Sequence, residues 1–162
     1  MENRPERGKQ WLEELLALMA IKTNVILEGL DKILTDTDSC WLGIDPTNLT
    51  DQQVKLLIGE KGKNIDAIQY LANTILNLDQ ESNAQGSYTI ELDGYRVRRY
   101  QELVTLATNA VEQVRYTGQE TEIPDLSSAE RRQIHSLLKN SADLATESRG
   151  QEPNRRLVVR LR

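Results

Sequence analysis

The chain has 162 residues, 38% apolar and 28% charged, which is enough for one ordinary domain or two small ones with a well-solvated surface. No apolar run approaches the ~20 residues that a membrane-spanning helix needs, and the segment from Met1 to Lys9 lacks the apolar stretch of a secretory signal. The one cysteine, Cys40, cannot form an internal disulfide, so these features together favour a cytoplasmic protein.

Charge is distributed unevenly along the chain, whose overall net charge is −5. Residues 1–92 carry 8 basic and 15 acidic side chains, a net charge of −7, whereas residues 93–162 carry 12 and 10, a net charge of +2. The tail from Arg149 to Arg162 alone holds five arginines and one glutamate. The positive charge that would attract a polyanion is therefore concentrated near the C-terminus. The acidic remainder limits non-specific binding.

Periodicity and capping patterns predict the order α-β-β-α-α-β for the first half of the chain. The predicted elements are a helix over Lys9–Ile21, a strand in the N-terminal half of Asn24–Leu34, a polar turn over Thr35–Ser39, a strand over Cys40–Ile44, a helix that begins at the Thr50–Gln53 capping box and ends before Gly59, a helix that carries Ile65, Ile68, Leu71, Ala72 and Ile75 on one face, and a strand over Ser87–Leu92.

The second half of the chain starts at the Asp93-Gly94 junction, and its periodicity predicts the order α-β-α-β-β. The predicted elements are a long helix with its apolar stripe from Val97 to Val114, a short strand over Thr121–Ile123, a helix from the Ser127–Glu130 capping box to about Lys139, and two strands over Leu144–Ser148 and Arg155–Leu161. We therefore expect an α+β protein with domains at residues 9–92 and 93–162.

A glycine turn separates the two central helices of the first half. Gly59 and Gly62 flank Glu60 and Lys61, and Lys63 follows. Glycine allows a sharp turn and a close approach of another backbone, and the next helix begins with free N–H groups that favour an anion. The turn is therefore a candidate phosphate-binding loop, with glycines required for geometry alone as the alternative. A nucleotide P-loop is excluded because that motif has four residues between its glycines and a lysine that precedes Ser or Thr.

Arg131 and His135 are a second candidate site, because their four-residue spacing stacks them on one helix face. We expect both side chains to border the apolar stripe and to face solvent. An arginine can pair with phosphate, and an imidazole can stack on a base. An ordinary solvated arginine beside a structural histidine is the alternative.

The terminal strand carries a third candidate surface. Period-two alternation places Arg156, Arg160 and Arg162 on the face opposite to Leu157 and Val159. Such a basic face suits a phosphate chain, and an edge strand protected from aggregation by its charge is the alternative.

Four ordered stretches together resemble the bacterial Jag family, also called SpoIIIJ-associated or KhpB-type proteins. They are Leu56–Leu71 with its glycine turn, Leu92–Arg99, Glu130–His135 and Thr146–Arg156. The resemblance covers the chain from about Trp11 onwards. It implies RNA binding by a type II KH fold followed by an Arg-x-x-x-His (R-three-H) module.

Residue by residue, the resemblance places Gly59, Lys61 and Gly62 on the GXXG loop of the KH module and Arg131 and His135 on the signature pair of the second module. It also implies a small single-KH protein as a partner. Many relatives carry a further N-terminal domain, which we expect this short chain to lack. Glu60 is acidic where a basic residue is common in KH loops.

Three functions compete at this point. The first is binding of single-stranded RNA, with single-stranded DNA as an alternative ligand and a post-transcriptional role. The second is an adaptor that docks a partner KH protein or membrane-insertion machinery without touching RNA. Catalysis is the third, but one histidine and one cysteine supply neither a convincing metal site nor a Cys–His pair. We expect no enzyme, no metal and no cofactor.

Overall fold

The computed structural model describes residues 3–27, 39–78, 80–82 and 84–162, which form an α+β protein with two three-stranded sheets. The expected α+β class is thus confirmed. The chain divides into two compact units, Met1–Val97 and Arg98–Arg162. The predicted turn over Thr35–Ser39, apart from Ser39 itself, lies outside the described residues, as does the C-terminal half of Asn24–Leu34.

The first unit packs three helices and a mixed three-stranded sheet around one core. Strand β2 is the central strand and pairs antiparallel with β1 and parallel with β3, so that Leu42 lies opposite Ile90. The elements follow the expected order: α1 Arg4–Leu18, β1 Val25–Leu27, β2 Cys40–Ile44, α2 Asp51–Ile58, a 3₁₀ turn Glu60–Gly62, α3 Lys63–Ile75 and β3 Tyr88–Leu92.

Helix α1 differs at both ends from the predicted span of Lys9–Ile21. It begins at Arg4 because the Asn3 side chain accepts a hydrogen bond from the Glu6 amide at 3.0 Å and caps the first turn. It ends at Leu18, because Ala20 adopts a left-handed conformation with φ 58°. Glycine is the usual residue at such a helix end, so the sequence carried no stop signal there.

The core of the first unit is mainly aliphatic, although it also buries the aromatic ring of Tyr88. Its largest fully buried side chains come from α1, both central helices and the sheet: Leu12, Leu16, Leu42, Leu57, Ile65, Tyr88, Ile90 and Leu92. The predicted capping box begins α2, where the Thr50 hydroxyl accepts from the Gln53 amide and the Gln53 side chain accepts from the Thr50 amide. Packing and capping therefore position the segment that follows α2.

The remaining elements form the second sheet and its helices: α4 Tyr95–Thr117, β4 Thr121–Ile123, α5 Ser128–Leu138, β5 Leu144–Arg149 and β6 Arg156–Leu161. This is the expected order α-β-α-β-β. Strand β6 lies in the centre and pairs antiparallel with both neighbours. The second core is formed mainly by Leu103, Ala107, Val114, Ile134, Leu144, Leu157 and Val159. Among the described helices, none is long and apolar enough to cross a bilayer.

Candidate nucleic-acid interface

The glycine turn between α2 and α3 has the geometry that its sequence predicts. Gly59 and Gly62 both have φ 75°, and Lys61 between them is left-handed with φ 53°. The Gly62 amide donates to the Gly59 carbonyl at 3.2 Å and closes the turn. A Cβ atom at position 59 would lie 2.6 Å from the Asn64 side chain, so conformation and space both require glycine there.

Asn64 fixes the turn from its C-terminal side. Its Nδ2 atom donates to the Leu56 carbonyl at 2.6 Å, which satisfies an acceptor in the last turn of α2. The side chains of Glu60, Lys61 and Lys63 are exposed around the turn. The result is a compact loop at the start of α3 with two lysines and one acidic side chain at its rim.

Arg131 is buried, and the expectation that it faces solvent is wrong. Its side chain is 6% exposed, and its Nη1 atom donates to the carbonyls of Leu126 at 2.7 Å and Arg155 at 3.4 Å. Its Nη2 atom pairs with the Glu152 carboxylate. Arg131 belongs to the inward stripe of α5 with Ile134, so it holds the loops around α5 together.

His135 is exposed, as expected, and lies at an open groove of about 700 Å³ between α5 and β5. Its Nδ1 atom hydrogen-bonds the Thr146 hydroxyl of β5. The groove is also lined by Ser128 and Ser136 on α5 and by Ser148 on β5. Imidazole and hydroxyl groups of this kind can contact a base, a sugar or a phosphate.

Two arginines of the groove, Arg132 and Arg155, are not among the site residues that the sequence predicts. Both side chains are exposed, and among the described residues neither guanidinium has a hydrogen-bond or ion-pair partner. Arg132 follows Arg131 directly, which turns it by about 100° around α5, and its exposed side chain lines the groove. The exposed face of α5 was a usable signal for Arg132, whereas Arg155 precedes β6 in a loop that alternation does not describe.

Arg156 and Arg160 lie on the opposite face of the second sheet. They alternate along β6 with Leu157 and Val159, which face the core. Arg156 pairs with Glu122 at 2.6 Å.

Arg160 lies 3.6 Å from the Glu147 carboxylate. The pairing with Glu122 raises the pKa of Arg156. Arg131 and His135 thus lie on one side of this unit. Arg156 and Arg160 lie on the other side, in a row of arginine–glutamate pairs that we call the charge ladder. Arg162 also has a local role, because its Nε atom donates to the Leu144 carbonyl at 2.8 Å.

Comparison with known proteins finds similarity along both units. Residues 101–161 match the R-three-H domain family. A protein of Clostridium symbiosum named RNA-binding protein KhpB is 32% identical over 115 residues, which is 71% of this chain and 51% of that protein. A Bacillus subtilis protein of the same name is 26% identical over 156 residues, 95% of this chain and 69% of that protein. The chain is thus similar to KhpB, or Jag, proteins along most of its length.

A third KhpB protein, from Lactiplantibacillus plantarum, is 36% identical over 107 residues, which is 66% of this chain and 33% of that protein. The chain therefore spans about half of the first of these KhpB relatives and a third of the last. The R-three-H match includes α5 and β5, which form the groove.

Proposed function

We propose that the chain binds single-stranded RNA, with single-stranded DNA as an alternative ligand, through a KH-like module at residues 9–92 and an R-three-H module at residues 93–162. The observation that carries the proposal is the open groove of the second unit. Arg132, His135 and Arg155 are exposed there, among serine and threonine hydroxyl groups. The names of the KhpB relatives supply the choice of RNA as the ligand.

Assignment of the first unit as a type II KH module rests on its element order and its glycine turn. The order α-β-β-α-α-β is the one that this module requires, and the turn lies between its two central helices. A KH module uses such a GXXG loop to clamp about four nucleotides of a single strand. In the proposal, Gly59, Glu60 and Gly62 bring the backbone close to phosphate, while Lys61 and Lys63 supply the attraction.

The groove residues have separate tasks in the second module. Arg132 and Arg155 pair with phosphates, and the His135 ring contacts a base or a phosphate. Arg131 acts indirectly, because it donates to the carbonyl of Arg155 and so holds the loop that presents this side chain. Arg156 and Arg160 are a secondary contact, because a phosphate must compete with the glutamates that already pair with them.

The test is a fluorescence-polarisation titration of the full chain with a labelled single-stranded RNA. Replacing Arg132 and Arg155 with Ala removes two phosphate contacts and should weaken binding at least tenfold, since each solvent-exposed contact contributes about 0.7–1.4 kcal/mol. Replacing Arg156 and Arg160 with Ala changes the charge equally and should weaken binding less. If the second pair weakens binding more, the ligand follows the charge ladder and the groove assignment is wrong.

A matched pair of variants tests the glycine turn. Lys61→Glu with Lys63→Glu places two negative charges where phosphate should lie, and an acidic residue in the first turn of α3 suits the helix dipole. Lys22→Glu with Lys139→Glu changes two other exposed lysines by the same charge. We expect a loss of at least fivefold for the first pair and less than twofold for the second. Equal losses would mean that only net charge matters.

An adaptor role is the second candidate, favoured by an exposed apolar strip on α3. Tyr70, Leu71 and Ile75 are 70%, 42% and 45% exposed within two turns of this helix. Such a strip suits a partner protein, for which the family resemblance indicates a small single-KH protein. The adaptor role gains support if Tyr70→Ser with Leu71→Ser abolishes binding of that purified protein while the full chain shows no affinity for RNA.

In the proposed RNA-binding role the chain acts post-transcriptionally in the cytoplasm, without a catalytic step or a cofactor.

A further inference from the structure

The segment that follows β3 turns back onto the glycine turn. Asp93 and Gly94 are both left-handed, with φ 50° and 70°, and α4 begins immediately after them at Tyr95. Tyr95 is half-buried and packs against the core of the first unit. A Cβ atom at Gly62 would lie 1.8 Å from the Tyr95 hydroxyl oxygen, so the end of the phenol ring lies directly against the Gly62 backbone.

Arg96 fixes Tyr95 in this place. Its guanidinium donates to the Ile90 carbonyl of β3 at 3.1 Å, to Asp66 at 2.6 Å and to Gln69 at 3.0 Å, the last two on α3. Its backbone amide donates to the buried Glu91 carboxylate at 3.2 Å. Tyr95 is therefore attached to the same strand and the same helix that carry the glycine turn.

We propose that Tyr95 is a positioning residue for nucleic acid at the Gly59–Gly62 turn. The proposal rests on the function proposed for that turn. Glycines allow many backbone conformations. A ligand that binds only one of them loses part of its affinity because the backbone must be ordered on binding. The Tyr95 ring blocks one side of Gly62 before any ligand arrives, so the backbone and Lys61 are held in the conformation that the ligand meets.

The test compares side chains of graded reach at position 95 by polarisation titration of the full chain with single-stranded RNA. Tyr95→Phe keeps the ring against Gly62 and should bind within twofold of the original chain. Tyr95→Leu fills the core but cannot reach the turn, and it should bind about three- to tenfold more weakly, the loss expected when one or two residues lose their preorganisation. Tyr116→Ala, at a tyrosine of α4 that is 92% exposed, is the control and should leave binding unchanged.

A second background separates positioning from general stability. In the Lys61→Glu, Lys63→Glu chain the turn no longer holds phosphate, so Tyr95→Leu should cause less than a twofold further loss. The same loss in both backgrounds would overturn the positioning role. Hydrogen exchange should quicken at residues 59–63 of Tyr95→Leu and stay unchanged in β3, and slower or equal exchange at the turn would also overturn the proposal.

The outcomes for Tyr95 and for the turn are distinguishable. If the lysine variants weaken binding and Tyr95→Leu does not, the turn binds RNA and Tyr95 does not position it. If the lysine variants leave binding unchanged, the proposed function of the turn fails, and the role of Tyr95 fails with it.

Discussion

The adjacent arginines of α5 should separate stability from binding. Arg131→Ala removes the donor to the carbonyls of Leu126 and Arg155 and the ion-pair partner of Glu152. A buried acceptor left without a partner costs about 1–3 kcal/mol, and the Glu152 side chain, which is 60% exposed, adds little because water screens it. We expect the second unit to lose about 2–4 kcal/mol of unfolding free energy.

Arg132→Ala is the matched control on the next residue. Its side chain is exposed and has no partner among the described residues, so its removal should change stability by less than about 0.5 kcal/mol. Affinity for single-stranded RNA should fall about three- to tenfold, the value of one phosphate contact. Arg131→Ala should therefore mainly lower stability, whereas Arg132→Ala should mainly lower affinity for RNA.

Hydrogen exchange measured by mass spectrometry is the appropriate assay, because both tryptophans, Trp11 and Trp41, lie in the first unit and fluorescence would not report on the second. Exchange in α5 and in β6 should quicken strongly in Arg131→Ala and stay unchanged in Arg132→Ala. If Arg131→Ala keeps its protection and loses as much affinity as Arg132→Ala, the buried guanidinium serves the ligand directly, and the structural role assigned to Arg131 is wrong.

Three further predictions concern single interactions. Glu152→Gln removes a negative charge from the groove beside Arg131 and should tighten RNA binding about two- to fivefold in the polarisation titration, and unchanged or weaker binding would contradict this. Hydrogen bonding to Arg115 lowers the pKa of Asp143, so this pair stabilises the fold above about pH 5 and loses its effect as pH falls through the lowered pKa. The stability difference between the original chain and Arg115→Ala, from urea unfolding followed by circular dichroism, should therefore shrink on acidification, and a difference that grows would be inconsistent with it. Gly62→Ala should destabilise the first unit by about 1–3 kcal/mol, read from tryptophan fluorescence in urea, because both φ and space oppose a methyl group; a midpoint equal to the original would show that the turn adapts.

Local signals explain why the element order could be predicted from sequence. The capping boxes at Thr50 and Ser127 begin α2 and α5 where the pattern places them. Gly59 ends α2, and its conformation is one that few other residues adopt. These interactions involve residues within a few positions of each other, so one sequence contains all the information that they need.

The roles of the arginines could not be predicted in the same way, because they depend on contacts between distant segments. Arg131 is buried since a loop 21 residues later brings Glu152 to it, and helical periodicity does not reveal that partner. Arg156 acquires Glu122 across the sheet through the register of β4 and β6. Strand alternation did place Arg156 away from Leu157, but which sheet face adjoins α5 follows from tertiary packing alone.

The most direct test of the central proposal is the salt dependence of RNA binding by the full chain and by a variant that combines Lys61→Glu, Lys63→Glu, Arg132→Ala and Arg155→Ala. With about three to five phosphate contacts, the logarithm of the binding constant should fall against the logarithm of salt concentration with a slope of roughly −2 to −4 on a single strand, from ~0.7 per phosphate. Duplex RNA should bind more weakly, and the variant should lose most of both affinity and slope. A flat salt response, tighter binding to duplex, or a variant that keeps its slope would contradict the account.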